Sequence, residues 1–139
     1  MYLLDTNVVS ELRRLRPHGA VLAWLGGVDD RDLRISAVTV SEIQTRVEMV
    51  RDQNPEKASE IERWCDDLAA TWNIVPMDGP SFRLWARLLH SRSNAASEDA
   101  MIAATAMVHS LTLVTRNVKD FVNFGVALLN PFTTPRAGR

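Results

Sequence analysis

A single cysteine, Cys65, excludes an intrachain disulfide and any zinc cage built from thiolates. It agrees with a reducing compartment. The three histidines, His18, His90 and His109, fall in no recognisable metal or triad pattern. No apolar run approaches the roughly 20 residues that a membrane-spanning helix requires. The opening Met1-Tyr2-Leu3-Leu4-Asp5 has no basic region and meets an acid too early for a secretory signal. The expected product is a soluble, cytoplasmic protein that contacts no membrane. Lysine is scarce as well: Lys57 and Lys119 stand alone among 16 basic residues, and the other 14 are arginines. Arginine suits bidentate contact with phosphate, although biased nucleotide composition gives the same excess. The formal net charge is only −1, so the whole-molecule field does not draw in nucleic acid. Any phosphate contact must come from a local patch.

What is present fits one ordinary domain. A chain of 139 residues buries roughly two-thirds of its unfolded surface and needs no staple. Apolar residues make up 46% and charged residues 24%, which is normal for a globular core with a solvated surface. There is no internal repeat and no linker. The domain is expected over 1–132, with 133–139 as a flexible tail.

Short apolar segments alternate with helical patterns. Strands are expected over Tyr2–Leu4, Leu33–Ala37, Asn73–Pro76, Leu111–Thr115 and Val126–Leu129. Helices are expected over Val8–Leu15, Gly19–Leu25, Val38 or Thr39 to Gln53, Glu56–Thr71, Pro80–Ser91 and Ser97–Ser110. The last is apolar almost all round and reads as the central buried helix. Alternating strands and helices imply a largely parallel sheet covered on both faces, a three-layer α/β/α arrangement. Such sheets bind ligands at the carboxyl ends of their strands.

Acids and amides stand at those ends. Asp5 follows the first strand, Glu42 lies early in the helix after the second, and Asp99 opens the buried helix. Asn117 and Asp120 follow the fourth strand. Carboxylates gathered at one edge repel one another and stay ionised together only beside a cation. Oxygen donors without thiolate or imidazole select hard ions, Mg²⁺ or Mn²⁺. Such an ion activates water and offsets the charge of a phosphate under in-line attack. Each acid also has a purely structural account. Asp5 caps a helix, Thr39 and Glu42 match a capping box, Ser97 caps a first turn carrying Glu98 and Asp99, and Asp120 sits in a polar turn.

Four segments carry a family resemblance. Leu3-Leu4-Asp5-Thr6-Asn7-Val8-Val9-Ser10-Glu11 resembles the first motif of the PIN-domain family, and within it of the VapC/FitB-type toxins of bacterial toxin–antitoxin pairs. Ile35 to Ile43 resembles the second motif, Asp99 to Ala106 the third, and Leu113 to Phe121 the fourth. Asn130-Pro131-Phe132 resembles the usual ending. The resemblance implies a Mg²⁺-dependent endoribonuclease, RNA as substrate, a homodimer and a cognate VapB/FitA-type antitoxin. Carried over by position, it assigns Asp5, Glu42 and Asp99 to the first three acids, which would hold the metal. The departure is at the fourth, where Asn117 stands in place of an acid and Asp120 follows three residues on. Asn can still ligate through its carbonyl oxygen. Around this centre, Thr6, Asn7 and Thr115 are candidates to hydrogen-bond Asp5 or a bound water, Arg46 to pair with Glu42, and Arg116 to meet phosphate or solvent. The tryptophans Trp24, Trp64, Trp72 and Trp85 read as core or dimer-interface residues.

Two other readings fit parts of the pattern. Leu4-Asp5-Thr6-Asn7 after a strand also fits an aspartyl-phosphate phosphatase, in which Asp5 would be the nucleophile. That chemistry needs a second acid at the place of Asn7 and a lysine near the phosphate. The other is a degenerate PIN domain that binds without cleaving, its site marked by Asn117.

Overall fold

A computed structural model describes residues 1–91 and 95–133. Five strands form one sheet: β1 (Tyr2–Leu4), β2 (Leu33–Ser36), β3 (Asn73–Val75), β4 (Thr112–Val114) and β5 (Leu128–Leu129). Their spatial order is β3-β2-β1-β4-β5, and every pairing is parallel. The sheet is therefore wholly parallel, beyond the largely parallel one expected. Leu4 lies opposite Ile35 on one side and Val114 on the other.

The helices are α1 (Thr6–Glu11), α2 (Gly19–Gly26), α3 (Ala37–Arg51), α4 (Pro55–Thr71), α5 (Gly79–Ser91), α6 (Ser97–Val108) and α7 (Val118–Phe121). Strand side chains alternate between faces with period two. Leu4, Ile35 and Val114 enter a cluster with Val8, Val21, Val47 and Ile61, beneath α1 to α4. Leu3 and Leu113 enter the opposite cluster with Ile102, Ala103 and Phe121, beneath α6 and α7. The result is the three-layer α/β/α domain. Among the described residues no helix is long and apolar enough to cross a membrane.

Helix α6 is the buried one, as its composition requires. Residues Ala100 and Ile102 to Ala106 are all buried, four of these six being alanines, so its backbone lies close to the sheet. Of the tail expected over 133–139, only Thr133 lies within the described residues.

Several boundaries differ from expectation, each for a local reason. Helix α3 starts at Ala37 because the Ser36 hydroxyl accepts from the Val38 N–H at 3.0 Å. Thr39 is thus inside the helix and is no cap, and Glu42 stands in the second turn. Helix α6 is preceded by Ala96 with no side-chain cap, so Ser97 does not cap it. The Ser97 carbonyl instead accepts from the Trp85 indole N–H at 3.2 Å. Helix α1 ends at Glu11, short of Leu15, because the buried Glu11 carboxylate accepts from the His18 N–H at 2.9 Å and pulls the chain back. Helix α7 fills a stretch that had no assigned element. It is followed by a 3₁₀ turn (Val122–Phe124) that ends at Gly125, whose φ of 80° suits a residue without Cβ.

The close approach of α6 gives a stability prediction. Ala103→Leu inserts three carbons where Ala103 has no exposure, and should lower stability by about 1–3 kcal/mol. Met101→Leu, at a half-buried position of the same helix, should cost less. Urea titrations of both variants check this.

Candidate active site

The strand order reverses at β1. The chain passes from β1 to β2 on one side, while β4 arrives on the other. The ligand-binding crevice outside the carboxyl ends of strands at such a switch point therefore opens between β1 and β4. Asp5 and Thr115 are the residues immediately beyond those two strands. Both are held by extensions of the ladder: Asp5 N–H donates to the Val114 carbonyl at 2.9 Å, and Thr115 N–H to the Leu129 carbonyl at 2.9 Å.

Asp5 is buried and accepts three hydrogen bonds. Its Oδ1 accepts from the Thr6 N–H at 2.8 Å, which also makes Asp5 the cap of α1. Its Oδ2 accepts from the Thr115 hydroxyl at 2.8 Å and the Asn7 amide at 3.0 Å. Asn7 is itself fixed, since its Oδ1 accepts from the Arg116 N–H at 3.1 Å. Thr115 Oγ1 further accepts from the Asn117 N–H at 3.0 Å. Thr6, Asn7 and Thr115 thus support Asp5 as the sequence suggested.

Glu42 reaches the same place from α3. Its Oε1 accepts from the Thr6 hydroxyl at 2.9 Å, and Thr6 Oγ1 lies 3.0 Å from Thr39 Oγ1. Asp99 sits in the first turn of α6, half-buried, with no hydrogen bond to its carboxylate among the described residues. Asn117 and Asp120 are both exposed. Asn117 occupies the cap position of α7 but makes no side-chain cap bond, and the Asp120 carboxylate makes no hydrogen bond either. A capping role for Asp120 is therefore not what the structure shows.

The acids are coupled through space. Burial pushes the Asp5 carboxyl up, against the pull of its hydrogen bonds to Thr115, Thr6 and Asn7, and the charge of Asp120 adds to the rise. Burial also raises Glu42, against its bond from Thr6, with further upward pressure from Asp5, Asp99 and Glu98. Asp99 is pushed up to about 6, by burial first and then by Asp5, Asp120 and Glu98. The expected four acids therefore feel one another, and Glu98 joins them. No Lys, Arg or His among the described residues pairs with Asp5, Glu42, Asp99 or Asp120. The anticipated Arg46–Glu42 ion pair is absent from that set. Arg116 turns away and lays its guanidinium 4.6 Å from the Phe132 ring centroid.

Among the described residues no three His, Cys, Asp or Glu side chains form a ready cation cage. The donors nonetheless fit a hard divalent ion: they are oxygens only, mutually repelling, and without a protein counter-charge. Thr39, read from sequence as a cap, is a site residue that the sequence did carry. It lies three residues before Glu42 and so shares its helix face.

The PIN domain family model matches residues 2–125. The chain belongs to the PIN-domain family. This PIN domain is 36% identical over 139 residues to Toxin FitB of Neisseria gonorrhoeae, covering 95% of the chain and 99% of the relative. It is 30% identical over 137 residues to VapC ribonuclease Y4jK of Sinorhizobium fredii, covering 95% and 98%. The crystal structure of FitAcB from Neisseria gonorrhoeae superposes with a TM-score of 0.84 at 35% identity, covering 96% of this PIN domain and 100% of that chain. The family and the three-layer fold that the four motifs implied are both borne out.

The raised Asp99 carboxyl sets a pH dependence. It binds its proton more tightly folded, near 6, than unfolded, near 3.8. Stability from this group is full below about 4 and is lost as pH rises to about 6. Asp5 and Glu42 shift in the same direction. In chelator, the protein should melt at a higher temperature at pH 5 than at pH 7.5. Asp99→Asn should raise Tm at pH 7.5 by about 2–5 °C, discounted for partial solvent screening, and flatten the difference. Thermal melts across pH 4.5–8 of both proteins, in steps of about half a unit around the titration range, test the sign.

Proposed function

We propose that this PIN domain is a metal-dependent endoribonuclease and the toxin of a toxin–antitoxin pair. The observation that carries the reading is the acid set at the β1/β4 switch point, coupled through space and without a protein counter-charge. Similarity over nearly the whole chain to a VapC ribonuclease supports the substrate class. Similarity to Toxin FitB supports the pairing with a VapB/FitA-type antitoxin. Under this reading the RNA is met, and cut, in the cytoplasm.

Asp5, Glu42 and Asp99 would hold Mg²⁺, or Mn²⁺ in its place. A bound divalent ion supplies an activated water and offsets charge on the phosphate. The protein's own contribution is differentiated. Asp5 is immobilised by three donors and acts as the fixed reference of the site. Glu42 is oriented by Thr6. Asp99 carries no such bond among the described residues, which leaves both of its oxygens to the ion. Asp120 adds charge from the exposed side, and Asn117 anchors Thr115 through its backbone.

The two other readings gain no support. Asn7 stands where a phosphatase needs a second acid, and it donates to Asp5 instead of receiving a proton. The mutual coupling of Asp5, Glu42 and Asp99 supports a working centre over a binding-only domain marked by Asn117. A homodimer fits the apolar face of α5, where Phe82 is 45% exposed beside Trp85.

RNA cleavage by the purified protein should require Mg²⁺ or Mn²⁺, stop in excess chelator and be lost in Asp5→Asn. Zinc should substitute poorly. Robust cleavage in chelator would defeat the metal-dependent reading. Asp120→Asn should raise the Mg²⁺ needed for half-maximal cleavage by about tenfold. Its melting temperature should not fall, because no cap is lost and one repelling charge is removed. Asn117→Asp should be tolerated.

A further inference from the structure

A cleft of about 510 Å³ opens beside the carboxylates, between α1, α3 and α4. Glu42 and Thr6 stand at its acidic end, and Arg13, Arg46 and Trp64 line the rest. A second hollow of about 620 Å³ lies beside it, lined among others by Arg46, Met49, Val50 and Lys57. Arg46 lines both, so the two adjoin at its side chain and together make a trough along α3. The α3 side of the trough is a single helix face: Glu42, Arg46, Met49 and Val50 follow at four-, three- and one-residue steps. From Glu42 to Val50 this face runs about 12 Å at 1.5 Å per residue, which spans a few nucleotides.

Charge changes sign along the trough. Glu42 is anionic; Glu11, also on the wall, is paired with Arg14, and the cations left over are Arg13, Arg46 and Lys57. Arg13 and Arg46 are exposed and form no ion pair among the described residues. Lys57 has only a 3.9 Å contact with exposed Glu60. A cation kept unpaired on the wall of a cleft, next to a centre that would cleave phosphodiesters, suits a phosphate one or more positions from the scissile bond. The Trp64 ring is half-buried at the cleft wall, where an unstacked base can meet it.

Resting on the ribonuclease reading, we propose that this trough is the path of single-stranded RNA leading away from the carboxylates, with Arg46 as the residue that positions a neighbouring phosphate. Arg46 touches no reacting atom in this assignment. It sets where the backbone lies relative to Asp5 and Glu42, and Lys57 extends the hold further from the centre.

The test uses the full chain carrying Asp5→Asn, which stops cleavage under that reading, with a fluorescein-labelled unstructured 12-nucleotide RNA in Mg²⁺. Fluorescence anisotropy across a salt series gives Kd and its salt slope. Arg46→Ala should weaken binding about tenfold and reduce the slope by about one. Arg46→Lys should restore the slope and part of the affinity. Lys57→Ala should act in the same direction, more weakly, and Arg87→Ala, on α5 across the sheet, should change nothing. Unchanged Kd and slope in Arg46→Ala and Lys57→Ala would overturn the path. So would equal affinity for a duplex of the same sequence, which would make the trough a general anion surface. In otherwise unmutated protein, Arg46→Ala should raise KM for RNA cleavage more than it lowers kcat, and the reverse split would also overturn it. Failure of the wild-type protein to cleave any RNA counts against the ribonuclease reading alone, because the binding series stands without it.

Discussion

The bond from the Thr115 hydroxyl to Asp5 Oδ2, 2.8 Å long and fully buried, is the constraint around which the site is organised. It joins the ends of β1 and β4, which are 110 residues apart in the chain. Parallel strands have no hairpin to fix their relative height, so this tie, with the ladder bonds beside it, sets the depth of the crevice. Asn7 is locked to both residues, and the Asn117 N–H donates to Thr115. Thr6 then carries the fixed geometry across to Glu42 on α3. Asp99 and Asp120 stand outside the web.

That web has a cost which the rest of the fold must absorb. Acids that raise one another's pKa destabilise the metal-free chain at neutral pH. The offset comes from the two apolar layers. Both β1 residues that face them, Leu3 and Leu4, have no exposure, and α6 presses alanines onto the sheet. Local strain in charge is tolerated where packing on both sides is dense, which is where functional sites commonly break the rules of stability.

Most of the architecture was legible because it rests on short-range patterns. Each of the five strands was marked by an apolar run, and α4 by its stripe of Ile61, Trp64, Cys65 and Leu68. The acids were legible by position, since the residue after a parallel strand has few other reasons to be carboxylic. The errors came where side chains act across the fold. Nothing local shows that Ser36 rather than Thr39 caps α3, because both are good caps and the choice depends on Thr39 facing Thr6. Glu11 gave no sign that it would bend the chain back through His18. Helix α7 is one turn long, too short for periodicity to register. The Arg46–Glu42 pairing was inferred from spacing alone, and the carboxylate found the Thr6 hydroxyl instead.

The contact among Thr39, Thr6 and Glu42 has a direction. Each hydroxyl owns one hydrogen. If Thr6 gives its hydrogen to Glu42, as the 2.9 Å distance indicates, then the 3.0 Å contact with Thr39 must be filled by the hydrogen of Thr39. The two threonines then form an oriented pair of dipoles, both pointing at the carboxylate, and each polarises the other. Such a pair favours the ionised state of Glu42 and opposes its protonation. A neutral Glu42 can carry its hydrogen on Oε2 and still accept from Thr6 at its carbonyl oxygen, so the pair weakens on protonation without having to reverse. Two uncharged side chains inside the protein thus bias the charge of the acid at the mouth of the crevice, without being ionisable themselves.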